Sequence, residues 1–560
     1  MQDANRRRFW QSCRLGLMLL ALAGNSHSDD SIINRVEALQ AGEPVVVLGA
    51  HLHSRDALVQ FYEARNYEPA WRSFPAREEL LQAIREVSNE GLNPGDYHYD
   101  SLADFASQPL DHNGEDLQAD LDLVLSDAFL LLATHLHDGK LDQETRSARW
   151  QPSEQQRKMH EVLAAAILDH SIYKTLQGLK PEAPAYRKLV ALRKEVSDLL
   201  GQPWPVIDSG PAIRPGDTDS RMIEVRERLR LLGDLPARDN DSSEAFDTGF
   251  ADHLYSDDLL AVIPAFQARH GLDPDGIIGR KTLAAINQMP LERLQQIDAN
   301  LERWRWLPDS LGDTYILVNI AGYELIMVEN GQETMRQRVI VGQPYRQTPV
   351  FSDRIRYLVF NPTWTVPRRL MIEDQLPVIR RDPGYLDRLG FKVYQGWGAN
   401  RVEIDPATID WDSLTKNNFP YQLVQQPGPQ NAVGQVKFMF PNQYDVYLHD
   451  TPGQYLFSRM DRTLSSGCIR VERPFELANK LLEGNSDWDH RAIQEALQSS
   501  EPINAILRNP VPVHLQYWTV WVDRAGTYQF REDIYGRDRQ LLQALRSDWQ
   551  GNLQLTPRSH

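Results

Sequence analysis

The sequence predicts a multidomain α+β protein, on three observations. Hydrophobic residues recur at helical spacing from about residue 30 to 205 and again from 219 to 288. From about residue 313 the period falls to two, the pattern of half-buried strands. Between the helical regions, "PWPVIDSGPAIRPGD" (203–217) is rich in Pro and Gly and reads as a linker. The 560 residues leave room for roughly three or four domains of about 150 each. With 41% hydrophobic and 24% charged residues the chain can fill sizeable cores. A net charge of −17 argues against nucleic acid, whose binding draws on a basic face.

Residues 1–27 read as an export leader. Arg6, Arg7, Arg8 and Arg14 precede an apolar run, Leu15 to Ala23, too short for a comfortable membrane span. Ala21-Leu22-Ala23 offers a small-residue cleavage site; the alternative is an uncleaved anchor in the inner membrane. Cys13 precedes the apolar run, so it is not a lipid-attachment cysteine of the usual kind.

Residues 30–205 form a helical scaffold. In "SRDALVQFYEAR" Ser54 is placed to cap, and Leu58, Phe61 and Tyr62 share a face. "DLQADLDLVLSDAFLLLATHLHDGK" and "APAYRKLVALRKEVSDLL" are further helices. His51/His53 and His135/His137 have a spacing that suits a metal site on a strand. Nothing supplies a third ligand, so they read as solvated or capping histidines, and no metal is expected.

Residues 206–290 form a small helical module with a polar, acidic insertion at about 239–249. Asp273, Asp275 and Gly276 suggest a calcium loop, but Ile277 replaces the next oxygen ligand and the closing Glu is absent.

Strands dominate 300–500. "TYILVNIAGYELIMVENGQETMRQRVIVG" alternates around Asn330-Gly331, a strong hairpin signal. "RYLVFNPTWTVP" is another strand, and "VKFMFPNQYDVYLHD" reads as two, turning at Pro441-Asn442. The mixed segment 368–434 is long for a connection and reads as a cap over the sheet. Two helices follow, and 501–560 adds strands and a helix packing on the catalytic or scaffold region.

"RTLSSGCIRVERP" (462–474) holds Cys468, the single cysteine left once the leader is removed. A lone thiol in an exported chain is an inert buried group, half of an intermolecular disulfide, or a nucleophile. Alternation in "YDVYLHD" sends Tyr444, Val446 and Leu448 to one face and Asp445, Tyr447 and His449 to the other. Cys468 follows His449 by 19 residues, enough for a strand and turn to return beside its start. An imidazole there supplies a base to the thiol. Ser466, Gly467 and Cys468 can offer backbone N–H groups to an oxyanion.

"HDTP…SSGCIRV" resembles the motif of the L,D-transpeptidase family, the YkuD-type catalytic domain. "NLERWRWLP", "YILVNIAGYEL", "NPTWTVP", "QQPGPQNAVGQVKFMFPN" and "DVYLHDTP" look like its large periplasmic members. "AFQ", "GL", "DG", Gly279 and Thr282-Leu283 in the small module resemble the peptidoglycan-binding module. Ser466 is a departure, since many small members carry histidine there.

The resemblance implies a β-rich catalytic domain with an inserted cap. Cys468 would be the nucleophile and His449 its base, with Gly467 and Cys468 in the oxyanion hole and a carbonyl, that of Asp450, orienting the histidine. Arg470 shares the face of Cys468 and would steer a substrate carboxylate, or else forms a structural ion pair. Tyr447, Ser466 and Trp364 would line the substrate site. The implied reaction joins peptidoglycan stem peptides, donor and acceptor, by 3→3 links in the periplasm, without cofactor. Carbapenems would acylate the same thiol, and the scaffold would dock cell-wall synthesis proteins. The alternatives are an L,D-carboxypeptidase or another acyl transfer by the same acyl-enzyme, and a non-catalytic wall-binding scaffold.

Overall fold

A computed structural model describes residues 26–104, 115–141, 157–236, 252–396 and 398–546. The apolar run and Cys13 of the expected leader, and the acidic insertion at 239–249, lie outside the described residues. Among the described residues no helix is long and apolar enough to cross a membrane.

The chain divides into two compact units. The first, residues 1–87, 93–134 and 157–179, is mainly helical where described, with one short antiparallel pair, Val46–Val47 and Ala50–His51. The helix Arg55–Ala64 buries Leu58, Phe61 and Tyr62, as its spacing predicts. Ser54 precedes it but makes no side-chain cap. The buried Asp127 caps instead, accepting from the backbone N–H of His53 at 3.1 Å and of Ser54 at 2.6 Å. His98 Nε2 lies 2.7 Å from the same carboxylate, and the His53 ring stacks on His98. His53 therefore belongs to a capping cluster.

The second unit holds residues 88–92, 135–156 and 180–560. This second unit takes in residues before 205, the expected end of the scaffold. The helix Pro184–Asp198 packs Tyr186 and Leu189 against Leu294, Ile297 and Leu301 of the helix Pro290–Arg305. The small module has helices Met222–Leu231, Leu259–Arg269 and Arg280–Asn287 around its own core, with Val225, Leu229, Phe266 and Ile286 fully buried. Asp275 Oδ1 accepts from Ile277 N and Gln267 Nε2, both at 2.9 Å, so it shapes a turn.

A nine-stranded sheet follows. Glu324–Glu329 pairs with both Thr314–Asn319 and Gln332–Gly342, which closes the sheet into a barrel. Asn330 and Gly331 turn that second hairpin with φ of 50° and 74°, the left-handed conformation such a turn demands. Thr314–Asn319 is apolar on both faces because both are covered. Ile316 and Val318 enter the barrel core, while Leu317 packs under the helix Pro290–Arg305. The first strand of the segment after 500 is part of the barrel. Ile503–Gln516 runs antiparallel to Phe351–Phe360 and parallel to Thr314–Asn319. Its register shifts between Ile506 and Val511, which accommodates Pro510.

The inserted cap begins earlier than expected. Phe351–Phe360 ends at Asn361, whose φ of 45° turns the chain out of the barrel. Trp364–Thr365 then joins Tyr421–Gln425, Phe391–Gln395 and Val402–Ile404 in a separate four-stranded sheet. Short helical turns cross it, and a core that includes Val366, Ile379, Leu386, Val393 and Leu423 holds the cap together.

Candidate active site

Three neighbouring strands place the site. Leu448–His449 runs parallel to Ile469–Val471 with His449 opposite Arg470. It runs antiparallel to Val436–Met439 with Lys437 opposite His449. Ile469 N donates to Tyr447 O at 3.1 Å, extending the register so that Tyr447 lies beside Cys468. Side chains alternate along strands, so Lys437, Tyr447, His449, Cys468 and Arg470 share one face. Leu448, Ile469 and Phe438 point the other way and are fully buried in the barrel core. The expected alternation holds from Val446 onward. Asp445 departs from it, because its φ of 53° breaks the strand.

His449 is buried. Its Nδ1 donates to the carbonyl of Asp450 at 2.5 Å, which leaves Nε2 as the basic nitrogen. The Asp450 carboxylate braces this turn, accepting from Gln435 N at 2.9 Å, Thr451 N at 2.7 Å and Gln454 Nε2 at 3.1 Å. Burial, then the charge of Arg470, holds the His449 pKa down to about 3, against a smaller upward pull from the Asp450 carbonyl. Burial raises the Cys468 thiol, opposed by hydrogen bonds with Tyr447 and by the charges of Lys437 and Arg470. The resting pair is therefore neutral thiol and neutral imidazole. Cys468 is part-exposed and free, with Sγ 3.7 Å from the Asp445 carbonyl.

Ser465, Ser466 and Gly467 turn the chain into Cys468. Gly467 has φ 120°, a conformation that excludes other residues without strain. Its N–H donates to Ser465 Oγ at 3.1 Å, and that hydroxyl donates to Cys468 O at 2.5 Å. The expected role of Gly467 changes accordingly: its N–H is engaged within the turn, so its contribution here is shape. Ser466 is exposed and accepts from Arg346 at 3.2 Å.

Arg470 forms no structural ion pair among the described residues. Its Nε is buried without a partner, and the charges acting on it are those of Cys468 and Tyr455. Trp364 is half-buried in the cap, packs on Phe391 and hydrogen-bonds Tyr447. It thus ties the cap to the site.

Sequence reasoning passed over Lys437. It lies between the buried Val436 and Phe438, a lone cation in an apolar strand, and that was the available signal. Its Nζ donates to Thr363 O at 3.2 Å and sits 4.7 Å from the centre of the Tyr447 ring. Burial lowers its pKa and the thiol raises it. Lys437→Met is expected to push the thiol pKa higher and slow iodoacetamide alkylation of Cys468 at neutral pH. Lys437→Arg should retain the wild-type rate.

The buried histidines also set a stability window. Burial holds His449 near 3 and His514 near 4, and pushes His270 well below its ordinary value. Unfolded, each takes a proton below about pH 6.5. Folding releases it, so their stabilisation is complete above that pH and is lost as pH falls toward 3–4. Melting temperature should drop between about pH 7.5 and about pH 5, and drop less in His514→Gln.

One thiol and one imidazole thus lie side by side on one face of the barrel, next to the inserted cap. Residues 313–492 match the L,D-transpeptidase catalytic domain, residues 56–192 a "Scaffold domain", and residues 218–286 a "Putative peptidoglycan binding domain". The chain is a multidomain protein with an L,D-transpeptidase catalytic domain, a scaffold domain and a peptidoglycan-binding domain.

Over 247 residues the chain is 38% identical to a Haemophilus influenzae protein described as "Putative L,D-transpeptidase". The match covers 44% of this chain and 49% of that protein, so the chain spans about half the length of the curated relative it matches. Among solved structures it is similar to an L,D-transpeptidase from Mycobacterium smegmatis, with 11% identity, 36% of this chain, 58% of that one and TM-score 0.18. It is also similar to one from Stackebrandtia nassauensis, with 14% identity, 58% and 99% coverage and TM-score 0.20. The domain assignment rests on the sequence matches.

Proposed function

We propose that the protein is a periplasmic L,D-transpeptidase that forms 3→3 cross-links between meso-diaminopimelate residues of peptidoglycan stems. The observation that carries this reading is the shared face of Cys468 and His449 beside a cation, Arg470, that lacks a carboxylate partner among the described residues.

Cys468 Sγ attacks the carbonyl that joins diaminopimelate to the terminal D-Ala. As the S–C bond forms, the thiol proton passes to His449 Nε2. As the C–N bond breaks, the proton passes to the departing amine of D-Ala. An amine of a second stem then attacks the thioester, gives its proton to His449 and restores the thiol. Protonating His449 is costly beside Arg470 and Lys437. A donor carboxylate against Arg470 offsets that cost, so the base works best when the correct donor is bound. Tyr447 and Trp364 line the donor side. The cap limits water, which competes for the thioester.

Mass spectrometry of the protein with purified disaccharide-tetrapeptide tests the reading. The expected product is a dimer that has lost one D-Ala and carries a 3→3 bond. Tripeptide without dimer would reassign the chain to hydrolysis. A carbapenem should add covalently at Cys468; absence of dimer, tripeptide and adduct would leave a non-catalytic scaffold.

A further inference from the structure

The loop at residues 343–350 joins two barrel strands and touches three parts of the catalytic domain. Arg346, on this loop, has a side chain only 9% exposed. Its Nη1 and Nη2 donate to the two carboxylate oxygens of Asp374 at 2.6 and 2.8 Å, and Nη2 also donates to Glu373 at 2.8 Å. Both acids belong to the cap, on one π-helical turn, Met371–Gln375, a wide turn that often marks functional sites. The same guanidinium donates to Ser466 Oγ, two residues before Cys468.

Thr348 makes a second bridge from this loop to the nucleophile turn. Its Oγ1 donates to Gly467 O at 2.8 Å and accepts from Gly342 N at 2.9 Å. The outer side of the loop is braced by the C-terminal segment. Tyr535 OH donates to Gly342 O at 2.5 Å, and Arg537 donates to Thr348 O at 3.0 Å. The loop is therefore held firmly on one side, while Arg346 is its ionic link to the cap. A bidentate arginine keeps its fork planar and cannot hold the cap acids and Ser466 in another arrangement without moving all three.

We propose that Arg346 is a positioning residue that couples the seating of the cap to the geometry of the Ser466–Gly467–Cys468 turn. With Glu373 and Asp374 in place, the guanidinium is fixed against Ser466 and the thiol is presented in its reactive position. When the cap acids withdraw, Arg346 is released and the turn loosens. In the transpeptidase reading, on which the functional consequence rests, the thiol would be fully presented only beneath a closed cap.

The test uses the full-length protein and two variants. Glu373→Gln/Asp374→Asn alters only the cap, and Arg346→Met removes the hub. Hydrogen exchange is followed over 371–381 and 462–470, with the rate of Cys468 alkylation by iodoacetamide. Coupling predicts that the cap variant speeds exchange in both segments. It should also change the alkylation rate by roughly threefold to tenfold, the range of coupling between packed neighbours, with Arg346→Met matching it. Faster exchange confined to 371–381, with alkylation unchanged, would overturn the proposal. These readouts need no turnover, so they decide the coupling even if no cross-linked product is found. If cross-linking does occur, the cap variant should also divert thioester from dimer to tripeptide.

Discussion

Cys468→Ala is expected to abolish dimer formation and carbapenem addition together, with melting temperature close to wild type. The thiol is part-exposed, and its sulfur contacts are hydrogen bonds with Tyr447 and a 3.7 Å approach to the Asp445 carbonyl. Loss of a nucleophile costs at least about 10⁴-fold, because the remaining groups then have no covalent step to assist. His449→Gln should cost less, roughly 10²–10⁴-fold, the usual range for a general base. It should also change the pH dependence. Wild-type acylation needs a neutral imidazole, which the low His449 pKa of about 3 supplies across the whole working range. The variant has no base and must wait for the thiolate. Its rate should rise with pH toward the raised thiol pKa, where the wild-type rate is flatter. Kinetics of carbapenem acylation across pH, read by intact mass, separate the two. Equal slopes in wild type and variant would remove His449 from the role of base.

Gly434→Ala is expected to be the most damaging single methyl in the site. Gly434 has φ 64°, and a Cβ there would overlap the Asp450 carboxyl. Asp450 cannot step aside cheaply. Its carboxylate is buried and holds three donors, and its carbonyl holds His449 Nδ1. Backbone strain and the displaced hydrogen bonds together should cost roughly 3 kcal/mol of stability. Activity should fall beyond the loss of folded protein, because the imidazole turns with its carbonyl. Chemical denaturation and activity per folded molecule, measured in parallel, check both parts. A variant that melts like wild type and keeps full activity per molecule would show that the Asp450 turn does not hold the histidine.

Much of this was legible in the chain itself. The change of period near residue 313, the Asn330-Gly331 hairpin and the two helices after residue 473 are local signals. Nearest-neighbour chemistry decides such elements, and the fold contains them where the pattern placed them. Tyr447 could be assigned to the face of His449, and Arg470 to that of Cys468, because strand alternation is a property of the backbone; that the two pairs share one face depends on the pairing of their strands. What stayed hidden depends on distance along the chain. That Ile503–Gln516 completes the barrel follows from pairings with strands about 150 and 200 residues earlier, to which no local signal points. That Asp127, and not Ser54, caps a helix is a contact 73 residues away.

At the site, the sequence by itself determined the reacting groups: one cysteine, one histidine on a neighbouring strand, and a glycine that lets the chain turn between them. Only the tertiary structure decided their state and their supports. Burial keeps the imidazole neutral, and the turn takes up the Gly467 N–H. Lys437 reaches the thiol's face through strand pairing. Arg346 meets Glu373 and Asp374 because the cap folds back over the loop. Desolvation and charge act through space, so residues far apart in the chain set the chemistry of a motif that is read within thirteen residues.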